Sequence, residues 1–224
     1  RAALKKLVLS GSIPPNQEVM EYFSARHAAL EDRYHQWLGR ITAPPLAEAA
    51  KADPQLYFQE QFHRVQGLLE RLAAARGVPA PEPLGFPKEL PPSDTVPRLL
   101  VQLALIEEAS TLAFQHGAAA VTSVKVEDPQ PVSGDVEEGP LLTRLPIRMR
   151  LTSSLPRLAQ LLAALHGAHP LVDVRLLRIQ PSPPSDVLEA ELVLARYLVL
   201  PGMPGPSSTP AASASRPARR GARR

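Results

Sequence analysis

Hydrophobic positions in the second half of the chain change their spacing several times, and each change predicts a new element. Apolar residues three and four apart predict a helix over residues 96–116. A strand is expected near residues 119–127, followed by a polar, turn-rich loop over residues 128–140. Strict alternation over residues 145–151, with Leu, Ile and Met on one side and Pro and Arg on the other, predicts the next strand.

The same order of elements then recurs. Ser154 is placed to cap a leucine-rich helix that ends at Gly167. Alternation over residues 172–179 predicts a strand whose phase slips, so we expect a bulge near residues 176–177. A last strand is expected over residues 187–199. It is a candidate for the edge of the sheet, where unpaired backbone groups can recruit another chain.

The predicted order over residues 96–200 is αββαββ. Four strands with one polar face and two helices form a two-layer sandwich. The expected fold class is α+β, and the domain is a circularly permuted ferredoxin-like sandwich, because the chain begins at a helix instead of a strand.

The first half predicts a helical, coiled-coil-like stalk over residues 1–77. Residues 1–10 have a helical pattern, and residues 42–53 break the helix that precedes them. That helix, over residues 19–41, carries a narrow apolar seam, which Arg26 interrupts. The seam consists of Val19, Phe23, Leu30, Tyr34, Trp37 and Ile41.

A second helix of the stalk should begin at Asp53-Pro54, an N-cap followed by proline, and run to about Arg76. Its apolar residues step by four and three, which is a heptad seam about two repeats long. The seam consists of Phe58, Phe62, Val65, Leu69 and Leu72. It predicts either a core contact within this chain or a coiled-coil contact with a partner, and the pattern leaves both open.

Two proline-rich segments complete the organisation. Residues 78–95 predict an extended connector in which Leu84, Phe86 and Leu90 can attach it to a surface. Residues 201–224 contain mostly Pro, Ser, Ala and Arg, a composition typical of disorder.

Charge and composition narrow the classes of function. The net charge is +3, but five arginines lie in residues 216–224; without them 20 basic residues face 22 acidic ones, a net charge of −2. Basic character therefore belongs to the tail, and no nucleic-acid-binding surface is expected on the fold. The chain has no cysteine and no apolar run long enough to span a membrane. Because it begins at Arg1, we expect a fragment with any anchor upstream.

No catalytic, cofactor or metal signature is found in the sequence. Glycine-rich phosphate loops and a GxSxG serine motif are both absent. His166 and His169 flank a helix end, where capping or solvent exposure explains them better than a metal site. Glu107 and Glu108 are adjacent, so they point apart on a helix and should be solvated, as should Glu137-Glu138. The prediction is a protein that is not an enzyme and has no cofactor or metal.

One stretch resembles a known family, the PilO-like inner-membrane assembly proteins of type IV pili and type II secretion. It is Leu145 to Gln180, LPIRMRLTSSLPRLAQLLAALHGAHPLVDVRLLRIQ, a strand, a polar turn, a leucine-rich helix and a second strand. Residues 12–42 and 54–90, the latter containing LGF, are similar to a pilus-associated subgroup of these proteins. The chain departs from the family pattern by its Arg-rich tail and the lack of an N-terminal transmembrane helix.

The resemblance implies a non-enzymatic scaffold on the periplasmic face of the inner membrane, anchored by a helix upstream of Arg1. Such a scaffold would pair with itself or with a PilN-like partner. The candidate interface consists of the heptad seam of residues 58–72 together with Val193 and Tyr197 on the last strand. Two alternatives stay open: association with nucleic acid or another polyanion through the tail, and a small-ligand regulatory module, since ferredoxin-like domains often bind effectors.

Overall fold

A computed structural model describes residues 17–41, 52–81, 84–86, 89–132, 142–182 and 187–199. The helices are α1 (Gln17–Ile41), α2 (Pro54–Ala75), α3 (Val96–Gln115) and α4 (Leu155–His166). The strands are β1 (Ala120–Val126), β2 (Gln130–Val132), β3 (Leu142–Ser153), β4 (Asp173–Ser182) and β5 (Val187–Val199). Three predicted segments lie outside the described residues. They are the helix at residues 1–10, most of the break over residues 42–53, and the tail at residues 201–224.

The sheet is antiparallel with strand order β1-β3-β5-β4, and the short β2 pairs with β3 beside β1. This is the strand order of a ferredoxin-like sheet whose chain begins at its first helix, so the predicted α+β fold class is confirmed. The expected edge position of the last strand is wrong, because β5 pairs with β3 on one side and β4 on the other. β2 is a further difference, since it lies where only a loop was expected.

The core lies between the sheet and its helices. Alternate residues of β3, namely Leu145, Ile147, Met149 and Leu151, are fully buried on the side that faces the helices. Their neighbours across the β3–β5 pairing, Leu192 and Leu194 among them, are buried on the same side. The opposite side, called the outer face below, carries the arginines of β3. The period-two pattern of the sequence therefore sets which side of each strand is buried.

Helix α2 belongs to the same core. The Asp53 side chain accepts a hydrogen bond from the backbone N–H of Leu56, and Pro54 follows at the first helical position. The helix then packs along α3, and an ion pair between Arg64 and Glu107 joins the two helices across their exposed side at 2.7 Å.

The connector covers one edge of the sheet. The backbone N–H of Glu127 donates to Pro146 O on β3, so residues 124 and 126 direct their backbone groups away from β3. Gly85 lies there, so close that a Cβ atom on it would be 2.7 Å from the Cα of Lys125. Leu84 is buried and Phe86 packs against the rings of α2, as expected, whereas Leu90 is exposed.

The other edge of the sheet is β4, which pairs with β5 alone among the described strands. Its register shifts between Val174 and Leu176, two residues before the expected bulge. Val174, Leu176, Leu177 and Ile179 are 37–41 % exposed, although they are aliphatic. Neither face of β4 is covered to the extent that the faces of β3 and β5 are.

Candidate functional site

Helix α1 presents an exposed apolar row. Phe23, Leu30 and Trp37 recur every seven residues, and all three side chains are exposed. Seven residues are almost two helical turns, so the three side chains lie on one face of a helix about 37 Å long. At its C-terminal end Ile41 is buried, and the carbonyl of Arg40 accepts a hydrogen bond from Leu171 N at 2.8 Å. This contact attaches the C-terminal end of α1, and Phe23, Leu30 and Trp37 are exposed along the helix.

The predicted interface residues of α2 lie mainly inside this chain. Phe58, Val65 and Leu69 are buried in the common core, and Phe62 and Leu72 are partly buried against it. The rings of Phe58 and Phe62 pack edge-on to Phe86 of the connector, with centroids 5.5 and 5.9 Å apart. Of the two readings that the heptad spacing left open, the structure supplies the core contact, and a role in partner binding remains a proposal.

Val193 and Tyr197 lie on the outer face of β5. Val193 is buried between neighbouring strands. The Tyr197 hydroxyl donates to Asp173 Oδ2 at 2.6 Å, and Arg144 lies over its ring. Partial burial, followed by the bond to Asp173, raises the pKa of Tyr197 above its ordinary value. Tyr197 therefore joins β5 to the start of β4 on this face.

Several arginines of the outer face converge on one carboxylate. Arg148 hydrogen-bonds Glu191 and also Glu127, while Arg150 and Arg178 lie 3.7 and 3.9 Å from Glu191. The hydrogen bond from Arg148, together with the charges of Arg150 and Arg178, lowers the pKa of Glu191. Three arginines thus share two carboxylates, Glu191 and Glu127, in this part of the face.

The adjacent acids of α3 are not solvated as expected. Glu107 binds Arg64 of α2 through two hydrogen bonds of 2.7 Å. Glu108 pairs with Arg196 of β5, whose side chain is almost fully buried and whose Nε has no hydrogen-bond partner within the described structure. Sequence reasoning missed Arg196 because the pairing joins residues 88 positions apart.

The described residues hold no cluster of His, Asp and Glu that could bind a metal. Ser154 occupies the N-cap position of α4, but its side chain makes no capping bond there. No helix in the described ranges is long and apolar enough to cross a membrane.

Among the comparisons with known proteins, the one with solved structures supports the fold. No family model matches the chain, and no curated protein matches it in sequence. A solved structure of an Akkermansia muciniphila protein without its transmembrane region is 15 % identical, with a TM-score of 0.58 over 76 % of this chain and 96 % of that one. A core-domain structure from the same organism is 16 % identical, with a TM-score of 0.59 over 76 % and 99 %.

PilO, the type 4 fimbrial biogenesis protein of Pseudomonas aeruginosa, is also among the similar structures. It is 17 % identical, over 76 % of this chain and 99 % of that one, and its TM-score of 0.38 is too low to carry an argument. The A. muciniphila structures show that the α+β fold is shared.

Proposed function

We propose that this chain is a non-enzymatic scaffold of a type IV pilus-like or type II secretion-like assembly apparatus, and that it works by pairing through α1. The observation that carries the proposal is the exposed heptad row of Phe23, Leu30 and Trp37 on a helix attached at its C-terminal end. Such a row is stabilised in water by packing against a second helix. The PilO-like resemblance of residues 145–180 supports the choice of apparatus.

The partner is a second copy of this chain or a PilN-like protein. The similar A. muciniphila protein was solved without a transmembrane region, which supports a membrane anchor for this chain as well. In this proposal the anchor lies upstream of Arg1, α1 extends from the membrane into the periplasm, and the ferredoxin-like sandwich stands at its far end.

Sedimentation velocity over a dilution series, with and without a PilN-like partner, tests the proposal. The chain should form a dimer or a heterodimer, and Leu30→Glu should weaken it by at least about tenfold, because burying a carboxylate in a helix seam costs more than 1.4 kcal/mol. Ala28→Glu is the matched control, since Ala28 is exposed on the opposite side of α1.

Two results would overturn the proposal. One is a strict monomer at the highest concentration that also fails to bind a PilN-like partner. The other is equal weakening by Leu30→Glu and Ala28→Glu, which would mean that added charge on α1 matters and its apolar row does not.

A further inference from the structure

The uncovered edge of the sheet has the properties of a docking site. Gly85 and its neighbours lie against the β1 edge, but β4 pairs with β5 alone in the part of the chain that the structure describes. Alternate residues of the ten-residue strand β4 therefore direct their backbone donors and acceptors to the free side. An exposed edge strand with aliphatic side chains is a template for another strand, and the two arginines, the register shift and Pro181 of β4 restrict which strands can add to it.

Side chains on β4 define what such a strand must look like. Val174, Leu177 and Ile179 pair with core residues of β5, so they lie on the helix-facing side, while Leu176 and Arg178 lie on the outer face. An added strand would extend the sheet with the same alternation. Its helix-facing side chains should be apolar, because they would cover the exposed aliphatic groups of β4.

The charge of the β4 edge determines which charge the added strand should carry on its outer-facing side chains. Arg175 and Arg178 are well exposed, and each has its nearest carboxylate 3.9 Å away. Those two carboxylates are already engaged, because Asp173 accepts from Tyr197 and Glu191 binds Arg148. Both arginines are thus exposed and share their close carboxylates with other groups, and Glu189 also lies on this face through its pairing with Gln180. An incoming strand should be acidic on this side, because its carboxylates could reach the exposed guanidinium groups.

Strand β5 shows that β4 accepts this pattern. On the side of β4 that pairs with β5, Arg178 pairs with Glu191, Leu177 with Leu192 and Ile179 with Ala190. These residues of β5 alternate between acidic and apolar. We propose that the free edge of β4 binds an extended segment of a partner protein in which acidic and apolar residues alternate, adding a strand to the sheet. Main-chain hydrogen bonds would supply affinity, and the arginines would select the acidic partner.

A second copy of β4 is a poor occupant of this edge. It would bring the same two arginines against Arg175 and Arg178, and like charges across neighbouring strands are destabilising. The surface is also separate from the apolar row of α1. Binding at β4 and pairing through α1 can therefore each fail without the other.

A blocked peptide of alternating Glu and Val, as long as the ten residues of β4, is the probe. Labelled and titrated with the protein, it should bind, with weaker binding at higher salt. A Lys–Val peptide should bind at least about tenfold more weakly, because it replaces attraction by repulsion at two arginines. A Glu–Val peptide with alternate N-methylated amides should not bind, since it cannot pair as a strand. Equal binding of all three peptides, or no binding of the Glu–Val peptide, would overturn the proposal.

Variants of the protein locate the contact. Arg175→Glu with Arg178→Glu should reverse the preference, so that the Lys–Val peptide binds more tightly than the Glu–Val peptide. Arg71→Glu with Arg98→Glu, on helices α2 and α3, changes the net charge equally and should leave the preference for Glu–Val unchanged. If this control pair reversed the preference too, the selectivity would come from overall charge and the proposal would be wrong.

A folding check and a separate variant complete the test. Circular dichroism establishes that the charge-reversed protein is folded, and the single change Arg175→Glu should give about a threefold loss of Glu–Val affinity if the double variant does not fold. Leu30→Glu on α1 should bind the Glu–Val peptide as the wild type does, which separates this inference from the proposed pairing through α1. A loss of peptide binding in Leu30→Glu would place the contact on α1 and overturn the inference.

Discussion

Replacing Gly85 by alanine tests how the connector is held against β1. The backbone of Gly85 has φ +76°, a conformation that costs an L-residue about 1–2 kcal/mol. A Cβ atom would also lie 2.7 Å from Lys125 Cα and 2.8 Å from Val124 O and Val126 N. All three are backbone atoms of a paired strand and cannot rotate away. The added methyl group must therefore push the connector off the edge of β1.

The cost of Gly85→Ala has an upper limit, because the protein can release the connector instead of accepting the clash. Release exposes Leu84, which is buried, and Phe86, which is half-buried against the rings of α2. Full burial of such side chains stabilises by about 1.5–3 kcal/mol each, so complete release costs at most about 6 kcal/mol. Since release would be partial, we expect the free energy of unfolding to fall by about 3 kcal/mol.

Urea titrations followed by circular dichroism measure this loss. Gly67→Ala is the control, because Gly67 lies inside α2 with nothing within 4 Å of an added Cβ. It should stabilise the protein by about 0.5–1 kcal/mol through helix propensity. Hydrogen exchange should also become faster for the backbone amides of β1 in Gly85→Ala. A change in unfolding free energy of less than about 0.5 kcal/mol for Gly85→Ala would refute the reasoning.

Two further changes test the charged pairs. Glu108→Gln should lower the free energy of unfolding by about 3 kcal/mol, because it leaves the buried guanidinium of Arg196 without its carboxylate. Glu107→Gln breaks the more exposed pair with Arg64 and should cost less than about 1 kcal/mol in the same urea titration; equal losses would contradict this distinction. Glu191 has a lowered pKa, so its contribution to stability is complete above the ordinary Glu value of about 4.3 and is lost as pH falls through the lower folded-state pKa. Glu191→Gln should remove that part of the acid dependence when unfolding is measured against pH, and an unchanged acid dependence would count against the assignment.

The order and type of the elements were predictable because local spacing determines them. Alternation over β3 predicted the strand and its buried side, and the Asp53-Pro54 pair predicted the start of α2. Pairing order is a long-range property, so the position of β5 was predicted wrongly. Residues 192–195 read Leu-Val-Leu-Ala, apolar on both sides of the strand. Such a run is typical of an interior strand and was the available signal.

The candidate surfaces were predictable only in part. The apolar row of α1 could be read from the sequence as part of the longer predicted seam of residues 19–41, because apolar residues seven apart lie on one face of a helix. For α2 the same kind of period could not separate a core contact from a partner contact, since both bury one face of a helix. The uncovered β4 edge was missed, because its exposure depends on which strand lies beside it, and aliphatic residues such as Leu177 and Ile179 resemble core residues in sequence.

The difference between the two edges of the sheet limits how many partner strands can add to it. Open-ended assembly through the sheets needs two free edges on every copy, one for each neighbouring molecule. With Gly85 against residues 124–126, that stretch of the β1 edge is covered, whereas β4 pairs with β5 alone among the described strands. A change that released the connector would open that stretch of β1 as a further edge. The same substitution that weakens the fold would then also expose backbone groups of β1 to which another strand can add.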